Sequence, residues 1–217
     1  MYSHGAVRTV AQLMRNATTQ KKQTDILKVA GKLFLERGYD AVSLDDILER
    51  VGGSKTTLYS YYGGKEGLFA ATIQNMCRDK LDALRALDPN QLDPRAALNA
   101  IGRHFLSILS DPQSRALFRA MISEADRFPN IASTFFAAGP ETMIRTLRDK
   151  IQQWQKQALL RSGDAEMLAI QFLGLMMGNF HLKSLLGLME PLTERQIKAW
   201  VARGVDVFLD GTLPRKA

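Results

Sequence analysis

The residues best placed to do chemistry lie in one short stretch, Ser54–Tyr62, with the sequence SKTTLYSYY. At about 100° per residue, Leu58 and Tyr62 fall on one face of a helix there. Thr56 and Ser60 lie opposite, flanked by Thr57 and Tyr59. A solvated helix face normally carries charge, whereas short hydroxyls and an aromatic ring suit contact with base edges in a major groove. Ser54, Lys55, Tyr61 and Lys65 stand at the rims, with donors suited to phosphate oxygens. Lys65 would open the next helix, where its ammonium adds to the positive end of the dipole. The bland alternative is a small amphipathic helix with no ligand.

Catalytic alternatives find little support. The three histidines, His4, His104 and His181, are scattered. No nucleophile motif, zinc-ligand spacing or phosphate-binding glycine loop is present, and Gly63-Gly64-Lys65 is too short for a P-loop. No enzyme, cofactor or metal is expected. The single cysteine, Cys77, excludes an internal disulfide framework and reads as a small buried hydrophobe. No window has the length and apolarity of a membrane span, and the first 20 residues lack the apolar run of a secretory signal, so a cytoplasmic location is expected.

The helix that would present these hydroxyls needs a partner behind it. Ser43 can cap a preceding helix, with Asp46 three residues on, and Leu44, Ile47, Leu48 and Val51 recur at helical spacing. Gly52-Gly53 breaks that helix and Ser54 can cap the next. Helix, glycine turn, helix is the helix-turn-helix pattern.

The run S-K-T-T-L-Y-S-Y-Y-G-G-K-E-G-L-F resembles the signature of the tetracycline-repressor (TetR) family of bacterial transcription regulators, S-K-G-T-L-Y-x-Y-F-x-x-K-E-x-L. Ser54, Lys55, Thr57, Leu58, Tyr59, Tyr61, Lys65, Glu66 and Leu68 carry the match. Ala30, Phe34, Gly38 and Tyr39 resemble the family's first helix, and Ser43 and Ile47 its second. The resemblance covers roughly residues 24–70 and implies a three-helix DNA-binding head in which Ser43, Ser54, Lys55, Thr57, Tyr59, Tyr61 and Lys65 touch DNA. Thr56 stands where the family commonly has glycine, so its side chain should alter which bases are read. Leu48 and Val51 replace small residues, and Gly53 replaces a valine.

The whole chain of 217 residues carries a net charge of +7, which permits a polyanionic partner without requiring one. Residues 1–22 hold Arg8, Arg15, Lys21 and Lys22 and no acid. Residues 1–21 are expected to be a flexible basic extension able to follow a DNA backbone or minor groove, with Thr24 capping the first helix. Residues 22–68 would then be the head, 69–210 a helical ligand-binding and dimerisation domain, and 211–217 a frayed tail. Lys65–Leu87 reads as a long helix joining the two.

From Asp88 onward every break carries helix punctuation and strand alternation is absent, so the fold class is all-α. Pro94, Pro112, Pro129 and Pro140 open successive helices, the last running to about Leu160. Ala165–Met189 reads as one helix that is apolar almost all round, followed by Glu194–Leu209. A helix apolar on every side must be covered on every side, and a second copy is the economical cover. Gly174 and Gly178 would admit another backbone, and Leu185, Trp200 and Phe208 would join them in a two-fold, four-helix interface.

Phe105, Phe118, Met121, Phe136, Met143, Trp154, Phe172, Met176 and Phe180 could line an adaptable apolar cavity or simply fill a core. The resemblance implies a ligand pocket among them, and Phe118–Leu186 also resembles the C-terminal domain of the family's AefR-like branch. The resulting expectation is a homodimeric, ligand-responsive repressor of double-stranded DNA, with an apolar small-molecule effector and no membrane partner. The rival is a helical protein-binding adaptor with a retained but non-functional head.

Overall fold

The computed structural model describes residues 4–85 and 93–213, with side chains described outside 4–16 and 83–85. All regular elements are helices: α1 (His4–Arg37), α2 (Leu44–Val51), α3 (Lys55–Tyr62), α4 (Lys65–Arg85), α5 (Pro94–Ser110) and α6 (Pro112–Glu124). They continue as α7 (Pro129–Ala138), α8 (Pro140–Lys156), α9 (Ala165–Met177), α10 (Phe180–Leu185) and α11 (Glu194–Thr212). No strand occurs among the described residues. The chain divides into two compact units, Met1–Met76 and Cys77–Ala217. The division falls inside α4 rather than at residue 68, because Ile73 is buried in the first unit and Leu81 joins the core of the second.

In the first unit, Ile26, Ala30, Leu33 and Phe34 of α1 are buried with Val42, Ile47, Leu58, Leu68 and Phe69. Phe34 and Phe69 meet edge-on with centroids 4.9 Å apart, and Tyr39 completes an aromatic trio 5.1 Å from Phe69. Gly38, at φ +79°, ends α1 with its N–H on the Phe34 carbonyl. Glycine reaches this left-handed region without steric cost. Two expectations fail here. Thr24 does not cap a helix; its hydroxyl bonds the Gln20 carbonyl inside α1, which already begins at His4. Residues 4–21 are therefore helical rather than an irregular arm, since no proline interrupts residues 4–37 to stop the helix. Residues 1–3, and the side chains of Arg8 and Arg15, lie outside the described residues.

The second unit packs α5, α8, α9 and α11 around one core that includes Leu98, Leu106, Leu147, Ile151, Trp154, Phe172, Phe180 and Val205. Glycines set its tightest level. A Cβ on Gly102 of α5 would lie 2.8 Å from Val201 Cγ1 and 3.1 Å from Met176 Sδ, and one on Gly204 of α11 would lie 2.2 Å from Met176 Cε. Met176, fully buried, thus occupies a slot that two missing side chains leave open across three helices.

Proline and aspartate start these helices as their spacing predicts. Asp93, Asp111 and Asp164 accept backbone N–H bonds at the N-termini of α5, α6 and α9, and Thr193 and Gln196 form a reciprocal capping box on α11. The expected single helix Ala165–Met189 is broken in two: Gly178 takes φ +46° at the end of α9, and α10 restarts at Phe180. The α8 helix likewise stops at Lys156 rather than near Leu160, and Ala158 turns the chain at φ +56°. The tail expected to fray from Gly211 is helical through Thr212, whose carbonyl accepts the Arg161 N–H at 2.9 Å; residues 214–217 lie outside the described residues.

Candidate nucleic-acid interface

The α2–α3 surface expected to meet DNA is built from two caps and two glycines. Ser43 accepts the Asp46 N–H, and the Asp46 carboxylate accepts in return from the Ser43 N–H and hydroxyl. These bonds, first from the side chain and then from the backbone of Ser43, hold the Asp46 carboxyl below the ordinary range. The capping box therefore satisfies two of the orphan donors at the start of α2. Gly52 at φ +68° and Gly53 at φ +112° turn the chain, and Ser54 caps α3 through the Thr57 N–H.

The turn accommodates its departures from the family pattern. A Cβ on Gly53 would lie 3.8 Å from Leu48 Cδ2 and 3.1 Å from Lys22 Nζ. The bulk of Leu48 and the Lys22 ammonium thus stand beside the space that a valine would have filled. Ile47 of α2 and Leu58 of α3 are the fully buried seam, each worth ~1.5–3 kcal/mol of apolar burial.

With Leu58 inward, the opposite face of α3 points outward. Thr56, Tyr59, Ser60 and Tyr61 are exposed, Tyr59 at 56% and Tyr61 at 36%. Thr57 is half-buried, with its hydroxyl 3.0 Å from Ser54 Oγ, so these two hydroxyls are engaged with each other at the cap. Ser60 donates to the Thr57 carbonyl at 2.9 Å, a local bond that leaves its lone pairs outward. Tyr62 turns inward. Its hydroxyl is buried without a protein partner, and burial, then Tyr61, pushes its pKa up.

Both lysines of the surface are held. Lys55 pairs with Asp45 of α2 at 2.8 Å, and that hydrogen bond raises its pKa. Lys65 donates to the Asp40 carbonyl at 3.3 Å and lies 4.3 Å from the centroid of Tyr39. Its ammonium is thereby fixed at the start of α4 rather than swinging free. The sequence reading missed Asp45, which is visible only as one more acid in the first turn of α2. It also missed Gly67: a Cβ there would lie 1.8 Å from the Tyr62 carbonyl oxygen, so α3 and α4 can meet only over glycine.

The residues assigned to a ligand pocket are only partly gathered. Met143, Trp154, Phe172, Met176 and Phe180 are core side chains 0–3% exposed, with Phe105 and Phe118 packed against the same cluster. Met121 is buried outside that cluster, and Phe136 is 53% exposed and lines nothing enclosed. Its neighbour Phe135 takes the inward place, meeting Phe118 edge-on at 5.1 Å. A shallow depression is lined by Arg161, Ser162, Gly163, Asp164, Met167 and Leu168, none of them among the expected residues.

The residues assigned to a dimer face also divide. Gly174 is exposed with open space above it. Gly178 is occupied differently, since a Cβ there would lie 2.9 Å from Trp200 of its own chain. Leu185 and Trp200 are half-buried. Phe208, 4% exposed and edge-on to Phe172 at 5.2 Å, is covered by its own core and cannot face a partner. The apolar side chains between Ala165 and Thr212 that do face outward are Met167, Ile170, Leu175, Leu182, Leu186, Leu188 and Val207.

Comparison with known proteins agrees with this architecture. Residues 26–72 match the family profile described as bacterial regulatory proteins, tetR family, and residues 96–211 match the AefR-like transcriptional repressor C-terminal domain. The solved structure of the flavonoid-responsive regulator FrrA is 34% identical, with a TM-score of 0.77 over 91% of this chain and 100% of that one. A TetR-family regulator structure from Mesorhizobium loti shares the fold at a TM-score of 0.82 and 22% identity, over 90% of this chain and 98% of that one. Among curated proteins, the regulator RutR of Escherichia coli is 32% identical over 117 residues, 54% of each chain. The activator FasR of Mycolicibacterium smegmatis is 33% identical over 84 residues, 37% of this chain and 38% of that one. The chain thus spans about half or less of these two curated relatives. It belongs to the TetR family of DNA-binding transcriptional regulators, with an AefR-like C-terminal domain.

Proposed function

We propose that the protein acts as a homodimeric, one-component repressor whose hold on a near-palindromic operator is released by an apolar small molecule. The observation that carries the DNA contact is α3 itself. Its aliphatic side is sealed against the head through Leu58, and its hydroxyl side, Thr56, Tyr59, Ser60 and Tyr61, touches no core. Two such helices about 34–36 Å apart would enter successive major grooves. Ser43, Ser54, Lys55, Thr57 and Lys65 are the proposed backbone-positioning contacts, and Thr56, Tyr59 and Ser60 the base-facing ones.

Dimerisation is supported by the outward apolar side chains of α9 to α11, Ile170, Leu175, Leu182, Leu186 and Val207, beside the bare backbone of Gly174. Effector control is supported by FrrA, a regulator named as flavonoid-responsive. Repression is supported by the description of the matched C-terminal domain. An effector that strongly shifts the bound fraction must favour the released state by a few kcal/mol.

A gel shift with the intergenic duplex beside its own gene, combined with sedimentation, tests this reading. Tyr59→Ala and Lys65→Ala should weaken binding without unfolding, and affinity should fall steeply with salt. A protein that sediments as a monomer at micromolar concentration, or two variants that bind as the parent does, would overturn the dimer and the contact surface respectively.

A further inference from the structure

The turn between α2 and α3 carries a cation from another helix. A Cβ built on Gly53 would lie 3.1 Å from Lys22 Nζ and 3.5 Å from its Cε. The ammonium of Lys22 thus stands against the place a side chain at 53 would occupy, immediately before Ser54 and the start of α3. Two features of α1 put it there. The helix begins at His4, so Lys22 is held in regular helix instead of a loose arm. Ile26, one turn further on and 1% exposed, is buried in the head, and residues four apart share a helix face. Lys22 therefore leaves α1 on the side that packs the head, and its long stem reaches over the turn.

A lysine serving only the fold at this place would close the C-terminus of α2, whose last carbonyls lack helical partners. Lys22 does not do so. Among the described residues its ammonium donates to no carbonyl and pairs with no carboxylate. The lysines on α3 and α4 beside it are engaged, Lys55 with Asp45 at 2.8 Å and Lys65 with the Asp40 carbonyl at 3.3 Å. Gly53, at φ +112°, keeps the space above the turn open, since a side chain is strained in that conformation. The place also suits a duplex. With 8 residues, α3 is ~12 Å long, close to the ~12 Å width of a major groove, so phosphates lie within reach of both its ends. Lys65 follows its C-terminal end, and Lys22 stands beside its N-terminal one.

We infer that Lys22 is a DNA-phosphate contact, carried by α1 over the Gly52-Gly53 turn to the N-terminal edge of α3. This rests on the proposed entry of α3 into the major groove and adds to it a residue from a third helix. An ammonium is a point charge that grips the backbone and reads no base, so Lys22 strengthens specific and non-specific binding alike. Unlike Lys55, it gives up no carboxylate when a phosphate arrives.

The test is fluorescence anisotropy of the full-length protein across a salt series, with two labelled probes: a mixed-sequence duplex and the intergenic duplex beside its own gene. Lys22→Gln should flatten the logarithmic salt slope by ~0.9 for each head bound and weaken both duplexes by ~5–8-fold per head at 0.1 M salt. Its thermal midpoint should match that of the parent. Lys22→Arg should restore slope and affinity. Lys28→Gln, an equal loss of charge elsewhere on the exposed side of α1, should leave the slope nearly as it was. An unchanged slope in Lys22→Gln, the same flattening in Lys28→Gln, or a loss confined to the intergenic duplex would each overturn the assignment. A lower thermal midpoint with an unchanged slope would overturn it too, by showing a role in the fold alone. Tyr59→Ala, titrated beside these variants, separates this inference from the reading beneath it. If Tyr59→Ala weakens binding and Lys22→Gln does not, Lys22 is wrongly assigned while the α3 surface stands; if neither does, both fall.

Discussion

Asp45 engages Lys55, one of the proposed phosphate contacts, and removing that hold should tighten DNA binding. The pair with Lys55 measures 2.8 Å, but both side chains are more than half exposed, at 56% and 60%. An exposed pair of this kind adds little to folding. Its effect on DNA binding is larger, because a lysine that neutralises a phosphate releases a counterion. Each additional contact steepens the logarithmic salt slope by ~0.9. In the proposed dimer, two heads add ~1.8 to the slope when Asp45→Asn frees both lysines. At 0.1 M salt one such contact is worth at most ~8-fold, so the ceiling for two is ~60-fold. Because the pair already opens part of the time, ~5–10-fold is the expected gain. The gain should shrink as salt rises. Fluorescence anisotropy with a labelled operator duplex from 50 to 300 mM salt reads both quantities. Adding Lys55→Ala to the Asp45→Asn background should erase the gain. An unchanged slope in Asp45→Asn, or a gain that survives loss of Lys55, would refute the reasoning.

Other perturbations have equally direct readouts. Gly67→Ala should destabilise the head by at least ~2 kcal/mol through its clash with the Tyr62 carbonyl, seen as a lower urea midpoint together with lost DNA binding. Ser43→Ala should cost ~1 kcal/mol by opening the capping box, with little change in the slope of the unfolding curve. Burial depresses the His181 pKa below its ordinary 6.5, so the unfolded chain binds that proton more readily. Its contribution to stability is accordingly complete above pH 6.5 and declines as pH falls through the lower folded value. Denaturation midpoints measured from pH 7.5 to 5 should show that decline, and His181→Phe should flatten it. Phe172→Ala should remove ~3–5 kcal/mol from a fully buried core site, measured by thermal unfolding.

The head was readable because its signals are local. Ser43, Ser54, Gly38, Gly52 and Gly63 each act on neighbours within four residues, and the structure uses them as caps and turns in the places their types indicate. The misreadings share the opposite cause. Thr24 has the type of a cap, but nothing before it stops a helix, so α1 runs on from His4. The apolar run after Asp164 continues past Gly178, and the closeness of Trp200, 22 positions away, which leaves no room for a side chain there, is not written in that run. Phe135 and Phe136 are indistinguishable by type, and packing against Phe118 decides which one is covered. Phe208 looked free because its cover, Phe172, is distant in sequence. Asp45 and Gly67 matter through partners that the pattern does not specify.

The slot holding Met176 ties positions 102, 176, 201 and 204 of this chain to one another. A methyl group at residue 204 meets the end of the Met176 thioether, and one at residue 102 meets Val201 first and the thioether second, so room for either must come from these neighbours. Single changes at these sites should therefore be rare among descendants, and paired exchanges, a larger residue in one helix against a smaller one in its neighbour, should be the route by which this part of the domain diverges.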